Sequence, residues 1–167
     1  LARQRRTHAA VVAGEAPETI LLVEHEPVVT IGRRPDARRH LLASEALLER
    51  QGVELVESDR GGDVTYHGPG QIVAYPIIRL NDRGLNLRQY VRLLEAAIID
   101  VLGGFGLAGD RDAEAIGVWV EPTGGGPAAK MAAIGVRASR WVTMHGLALN
   151  VDPNLEHFKL IVPCGLA

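Results

Sequence analysis

The sequence predicts an α+β fold, in which a mixed or antiparallel sheet has helices packed on it. Strand-like segments follow one another in runs and helical patterns are set apart from them, which favours α+β over a doubly wound array. Of the 167 residues, 47% are apolar and 23% are charged. These values suit one globular domain with a substantial core.

In the N-terminal half, short strands are separated by charged or glycine-containing connections. Ser44 predicts the N-cap of a short helix, and Gly52 predicts its end. Apolar, β-branched runs predict the strands. The predicted elements are a helix at 1–13, strands at 19–25, 28–32 and 53–58, and a helix running from Ser44 to Arg50.

The C-terminal half contains the clearest helix of the chain. Asn86 followed by Gln89 is typical of a capping box, and Gly103 and Gly104 are predicted to stop the helix. Pro76 predicts a strand edge or a bulge, because proline cannot donate to a ladder. The other predicted elements are strands at 71–80, 116–120, 130–138 and 143–151, with one helical turn at 154–158.

Residues 60–71, which read RGGDVTYHGPGQ, are the strongest candidate for a functional segment. Glycines at this density let backbone N–H groups approach a bound group closely. Arg60 supplies a forked cationic donor, and His67 can donate, accept or titrate. A glycine-rich turn without function is the alternative. We favour function, because sites tend to lie on loops held by a rigid scaffold.

Composition argues against several classes of partner. A net charge of −2 gives no global field for nucleic acid or an anionic membrane, and the apolar run at 72–78 is far too short to span a bilayer. A single cysteine predicts a reducing cytoplasm and no structural metal site. Nothing resembling a nucleotide-binding glycine motif is present, so we expect no cofactor. Arginine clusters at 33–39 and 83–92 predict either a solvated face or a docking patch for an acidic partner.

Cys164 and Lys130 are candidates for covalent chemistry. Cys164 lies between Pro163 and Gly165 after an apolar segment, where a thiolate would be exposed on a rigid turn. Lys130 lies in an apolar, small-residue strand of a chain that otherwise uses arginine, and lysine can titrate where arginine does not. A buried, inert cysteine and a strand-edge lysine are the alternatives. If the two meet, they predict a base–nucleophile dyad.

Two histidines are further candidates. His67 is predicted either to orient the loop or to touch substrate, whereas His145 in a strand is predicted to be a hydrogen-bonded structural residue. The remaining histidines are predicted to be surface or packing residues.

Three segments together resemble a known family. RGGDVTYHGPGQIVAYP, KMAAIGVR and the PCG around Cys164 are similar to signature segments of lipoyl(octanoyl) transferases, also called lipoate-protein ligase B. The resemblance covers nearly the whole chain, including LLVEHEPVVTIGRR and MHGLALNV. It implies the fold of biotin and lipoate ligase catalytic domains. Residues 1–167 are then expected to be a single catalytic domain, truncated at both ends.

The resemblance also implies an activity. The reaction would move an octanoyl group from the thioester of acyl carrier protein to a lysine of a lipoyl domain, in 2-oxoacid dehydrogenase complexes or the glycine cleavage H protein. Cys164 would carry the acyl group and Lys130 would be its acid/base partner. The implied acyl pocket and thioester-binding surface consist of Arg60, Gly61, Gly62, Asp63, Val64, Thr65, Tyr66, His67, Ala133, Ile134, Gly135, Gly146, Leu147 and Ala148.

Rival interpretations differ in chemistry. An ATP-dependent lipoate or biotin ligase of the same fold would need a phosphate-binding site and no cysteine nucleophile. A non-catalytic protein that binds lipoyl domains would have an unreactive Cys164. A thiol hydrolase would pass the acyl group to water.

Overall fold

The computed structural model describes residues 1–113 and 115–163. These residues form two compact units, one comprising Leu1–Leu21 and Ala74–Leu149, and the other Leu22–Val73 with the described residues from Asn150 onward. None of the described helices is long and apolar enough to cross a bilayer.

The described strands form two sheets. The strands are β1 (Thr19–Val23), β2 (Val28–Ile31), β3 (Glu54–Glu57), β4 (Val64–His67), β5 (Gln71–Ile77), β6 (Gly109–Asp110), β7 (Val118–Val120), β8 (Ala129–Ser139) and β9 (Val142–Asn150). One sheet has the order β1-β5-β9-β8-β7-β6 and the other β3-β2-β4. From β6 to β9 each neighbouring pair is antiparallel, whereas β2 is parallel to β3 and antiparallel to β4. The predicted α+β class is confirmed.

The described α-helices are α1 (Ala2–Ala13), α2 (Glu45–Arg50) and α3 (Leu87–Gly104). Both predicted caps are present, because a cap depends only on residues within one turn. Ser44 Oγ accepts from the Leu47 amide at 3.3 Å, and Asn86 and Gln89 form the reciprocal capping box with two bonds of 2.9 Å. Gly103 and Gly104, which were predicted to stop this helix, are instead the last two residues of α3.

Two strand predictions need correction. β4 occupies the middle of the glycine-rich segment, because Val64 and Tyr66 are buried and pair with β2. β5 lies between β1 and β9, so the edge position predicted for Pro76 is wrong. The Thr143 hydroxyl donates to Pro76 O at 2.6 Å and accepts from the Ile78 amide at 3.0 Å. A side chain thus satisfies the backbone groups around the proline.

Each unit has its own buried apolar clusters. In the first unit, α3 buries Ile98 and Leu102 against Val118 of β7 and Ala132 of β8. Further clusters of this unit lie around Leu80, Tyr90 and Leu94, and around Val11, Leu21, Ile77 and Val142. In the second unit, the buried cluster includes Val29, Ile31, Leu48, Val64 and Tyr66. These clusters hold β4 and β8, the strands that carry the candidate site residues.

Candidate active site

The backbone of residues 60–63 is tied to residues 32–34. Three bonds join Gly32 N to Asp63 O, Arg33 N to Arg60 O and Arg34 N to Gly62 O, at 3.1, 3.1 and 3.2 Å. A Cβ at Gly32 would lie 2.3 Å from Gly62 O, so the two backbones approach as closely as only glycine allows. The loop is therefore held rigidly before any ligand binds.

Arg60 is turned into the second unit, where its side chain holds the loop. Only 8% of the residue is exposed. Nη2 donates to Thr30 O at 2.7 Å, Nε to Thr30 Oγ1 at 3.1 Å, and Nη1 to Gly61 O at 3.1 Å. These contacts support a role in loop geometry, and the expected contact of Arg60 with a substrate stays a prediction.

Asp63 is the buried anion of the loop. Its carboxylate lies 2.7 Å from His40 Nδ1 and 3.2 Å from Arg34 Nη1, and accepts from the Val64 amide at 2.8 Å. Burial by itself would raise the pKa of Asp63, but the hydrogen bonds from His40 and Val64 and the charges of His40 and Arg34 lower it below its usual value. Asp63 therefore stays ionised at neutral pH and anchors the end of the loop.

His67 ends β4 as a neutral ring. Its Nδ1 lies 3.2 Å from Gln71 Oε1, and its ring centroid is 5.8 Å from that of His25. Burial, assisted by the charges of Arg60 and His25 and opposed by the Gln71 bond, lowers the pKa of His67 to about 4. At neutral pH the ring can exchange hydrogen bonds but carries no charge.

Lys130 lies on β8 in the first unit, beside the ring of Trp119. The two residues are register partners across β7 and β8, and Nζ is 5.1 Å from the indole centroid. A Cβ at Gly117, whose φ is 142°, would lie 2.6 Å from Lys130 Cε. The lysine side chain therefore runs over a glycine and along an aromatic face.

The segments Ala133-Ile134-Gly135 and Gly146-Leu147-Ala148 lie directly opposite each other. Their register partners on β8 and β9 are Ala133 with Ala148, Ile134 with Leu147, and Gly135 with Gly146. The structure thus brings together two separately predicted segments and places them on the same strand pair as Lys130. Their contact with an acyl chain stays a prediction.

His145 precedes Gly146 in a strained backbone conformation. Its φ is 58° although the residue is buried within β9, and its N–H donates to Gln4 Oε1 of α1 at 2.9 Å. A Cβ at Gly146 would lie 2.0 Å from Ala74 O. Sequence patterns predict a regular strand here and give no sign of this irregularity.

The predicted site residues divide between the two units. Lys130 and the two paired segments belong to the first unit, and the segment from Arg60 to His67 belongs to the second. Cys164 lies outside the described residues. Sequence reasoning missed the partners Thr30, His40 and Trp119, for which no spacing pattern exists because each is far from its partner along the chain.

Most arginines of the cluster at 33–39 form ion pairs with carboxylates of the chain itself. The ion pairs are Arg34–Asp63, Arg38–Glu45, Arg38–Glu57 and Arg39–Asp36, with nitrogen–oxygen distances of 3.1 to 3.3 Å. These contacts favour the solvated face over the docking patch for an acidic partner.

The chain is similar to proteins of one family over nearly its whole length. The lipoyl protein ligase A/B catalytic domain matches residues 1–166. The octanoyltransferase of Chloroflexus aurantiacus is 53% identical over 98% of this chain and 71% of its own length. That of Syntrophobacter fumaroxidans is 52% identical over 98% of this chain and 68% of its own. The chain thus spans about seven-tenths of these relatives.

A solved structure shares the fold at low sequence identity. It belongs to the bipartite lipoate protein ligase of the archaeal lipoylation system of Thermoplasma acidophilum. The TM-score is 0.72 at 16% identity, over 96% of this chain and 61% of the other. The expected ligase-like fold is therefore confirmed. On the domain match and the octanoyltransferase relatives, this chain belongs to the lipoyl protein ligase A/B catalytic domain family.

Proposed function

We propose that this chain is the catalytic part of an octanoyltransferase of the cytoplasm. It takes an octanoyl group from the thioester of acyl carrier protein and gives it to a lysine of a lipoyl domain, in the first step of endogenous protein lipoylation. The observation that carries the proposal is the identity of about one residue in two with octanoyltransferases along nearly the whole chain. The acceptors are the lipoyl domains of 2-oxoacid dehydrogenase complexes and the glycine cleavage H protein.

The geometry of the first unit supports an apolar acyl group beside a titratable lysine. Ala133, Gly135, Gly146 and Ala148 have small or no side chains and face one another across β8 and β9. Lys130 lies three residues before this segment on β8. An alkyl chain gains free energy by leaving water for such a surface, and a lysine is a suitable proton carrier for thiol chemistry.

In the first half-reaction, the Cys164 thiol gives its proton to neutral Lys130 Nζ while its sulfur attacks the thioester carbonyl carbon. The bond from that carbon to the carrier sulfur then breaks, and the departing sulfur takes the proton from Lys130. The products are an octanoyl thioester on Cys164 and a free carrier thiol. Backbone N–H groups of the glycine-rich loop are the proposed donors to the transient oxyanion.

In the second half-reaction, the neutral amine of the acceptor lysine attacks the Cys164 thioester. A carbon–nitrogen bond forms and the bond to the Cys164 sulfur breaks. One amine proton passes through Lys130 to that sulfur. The products are an octanoyl amide and the original thiol, so the cycle consumes no ATP and no cofactor.

The test is transfer to an apo lipoyl domain in the absence of ATP. Purified chain, octanoyl-acyl carrier protein and the lipoyl domain are mixed, and the mass of the domain is followed. We expect one octanoyl group per domain, and none with Cys164→Ala.

Other outcomes would support the rivals. Modification that requires ATP and free octanoate, and survives Cys164→Ala, would indicate a ligase. Binding of the domain without transfer would indicate a non-catalytic protein. Release of free octanoate without modification would indicate a hydrolase.

A further inference from the structure

The carboxamide of Gln71 has an orientation fixed by its neighbours. Its Nε2 lies 3.4 Å from Tyr66 O and 2.8 Å from Asn150 Oδ1. A backbone carbonyl only accepts hydrogen bonds, so the atom that faces it must be the NH₂ group. Gln71 is only 3% exposed, and a buried carboxamide keeps such partners. Its Oε1 must therefore point the other way.

That oxygen determines which nitrogen of His67 carries hydrogen. Gln71 Oε1 lies 3.2 Å from His67 Nδ1, and a carboxamide oxygen can only accept. Nδ1 is therefore the donor. In a neutral imidazole the second nitrogen then holds the lone pair, so Nε2 is an acceptor.

The surroundings of His67 keep the ring neutral. Its pKa of about 4, lowered mainly by burial and also by the charges of Arg60 and His25, means that at neutral pH Nε2 accepts hydrogen bonds and does not donate them. Such a low pKa also makes the ring a poor base toward an ammonium group. The chemistry available to His67 is thus hydrogen-bond acceptance.

The backbone around these side chains is fixed as well. Gly70 O accepts from the amides of Val151 and Asp152 at 3.0 and 2.9 Å, and Gly70 N–H donates to Glu24 Oε1 at 2.6 Å. A Cβ at Gly70 would lie 2.0 Å from Asp152 O. The turn that carries Gln71 is therefore hydrogen-bonded to the segment that follows Asn150. The side chains of His67, Gln71 and Asn150 are thus preorganised.

We infer that Gln71 and Asn150 are positioning residues that hold His67 with Nδ1 protonated and Nε2 presented to an N–H group of a substrate. The identity of the substrate rests on the proposed function, whereas the arrangement of the side chains does not. Two N–H sources fit this chemistry. One is the amide of the prosthetic arm on acyl carrier protein, and the other is the amine of the acceptor lysine.

The first test is the tautomer of His67 in the wild-type chain. Long-range ¹H–¹⁵N correlation spectra of ¹⁵N-histidine-labelled protein report which ring nitrogen carries hydrogen. The chain has six histidines, and the signal lost in His67→Gln identifies this one. We expect the Nδ1–H form at pH 7, with no protonation of Nε2 down to pH 5. An Nε2–H tautomer, or a charged ring at pH 6, would overturn the inference.

The second test distinguishes a positioning role of Gln71 and Asn150 toward His67 from a merely structural role. Asn150→Asp keeps an acceptor for Gln71 Nε2, so the Nδ1–H tautomer should persist. Asn150→Leu removes the nearer acceptor of Gln71 Nε2, at 2.8 Å, and leaves the longer contact with Tyr66 O, at 3.4 Å. The carboxamide is then held more weakly, so His67 should show mixed tautomers and kcat/KM should fall about tenfold, the equivalent of one hydrogen bond. Asn154→Leu is the matched control in the same unit, because Asn154 accepts from the Glu156 amide instead. An unchanged tautomer in Asn150→Leu would overturn the role of Asn150.

Kinetics then distinguish the two N–H sources. A rise in KM for octanoyl-acyl carrier protein in Asn150→Leu would indicate the carrier arm, and a rise for the lipoyl domain would indicate the acceptor lysine. A protein with the Nδ1–H tautomer but no octanoyl transfer would contradict the proposed function while leaving the positioning pair intact. Conversely, an active transferase with the Nε2–H tautomer would overturn the positioning pair alone.

Discussion

Lys130 is one of only two lysines in a chain with sixteen arginines, and it is the residue whose chemistry is easiest to isolate. Lys130→Arg places a permanently charged group at this position, which at neutral pH can neither accept the Cys164 proton nor return it. We expect the rate of octanoyl loading to fall by about 100-fold or more, the usual loss when a proton-transfer group is removed. Single-turnover acylation, followed by the mass of the protein, measures this rate.

Lys159→Arg is the matched control. Lys159 is exposed and pairs with Glu156 at 2.7 Å, so an arginine can replace it without chemical consequence. Wild-type acylation by the Lys130→Arg variant would remove Lys130 from the proposed dyad.

Asp63 allows a prediction about stability and pH. Its pKa is lower in the folded chain than its ordinary value of 3.8, so the ionised carboxylate stabilises the fold above that value. This contribution is lost as the pH falls through the lowered folded-state pKa. Asp63→Asn should reduce the free energy of unfolding at pH 7 by about 1–3 kcal/mol, because His40, Arg34 and the Val64 amide lose their buried anionic acceptor. Urea denaturation measures the difference.

The difference between wild type and Asp63→Asn should narrow as the pH falls below about 4, because the carboxyl of the unfolded chain then begins to bind a proton and that of the folded chain follows at its lower pKa. The exposed Asp36, which pairs with Arg39 at 3.3 Å, gives a control. Asp36→Asn should change stability by no more than about 0.5 kcal/mol. A difference for Asp63 that stays constant down to pH 3 would contradict its assignment as an ionised anchor.

Among the elements, the close approach of β9 to its neighbour β5 depends on a glycine. A Cβ at Gly146 would approach Ala74 O to 2.0 Å, and a backbone atom cannot move aside as a flexible side chain does. Gly146→Ala should therefore lower the free energy of unfolding by about 3 kcal/mol or more, at the upper end of overpacking costs. Chemical denaturation provides the measurement.

Gly103 in α3 provides the opposite case. A Cβ there meets nothing within 4 Å, so Gly103→Ala should stabilise the chain by about 0.5–1 kcal/mol through the helix preference of alanine.

If Gly146→Ala proves as stable as wild type, the close approach of β9 to Ala74 is wrong.

Local features explain which elements could be predicted. The caps at Ser44 and Asn86 lie within one helical turn of their partners, and both were predictable from residue type and spacing. The position of β5 in its sheet could not be predicted in this way, because a strand's place in a sheet depends on segments that are distant along the chain. Pro76 predicted an edge or a bulge, and the hydroxyl of Thr143, 67 residues away, accounts for its tolerance inside the sheet.

The same distinction applies to the candidate site. The residue types of the glycine-rich segment marked it as functional, but sequence alone treated Arg60 as a donor for a substrate. In the structure its hydrogen bonds to Thr30 hold the loop. Asp63 likewise depends on His40, 23 residues away. No rule of sequence spacing predicts side-chain contacts between residues this far apart along the chain.

For the whole molecule, the sequence was sufficient for the fold class and the family. Three short segments in the correct order carried the resemblance, and the match over residues 1–166 confirms it. The division of the described residues into two compact units was not predicted, because it follows from long-range packing. The expectation of a single catalytic domain stays a prediction.

Cys164 is proposed to carry the octanoyl group, and the intact mass of the chain after mixing with octanoyl-acyl carrier protein shows whether it does. The chain contains one cysteine, so a thioester adduct identifies its own position. We expect the mass of one octanoyl group, its release by neutral hydroxylamine, and no adduct on Cys164→Ala. A wild-type chain that modifies a lipoyl domain without ever forming this adduct would rule out Cys164 as the acyl carrier.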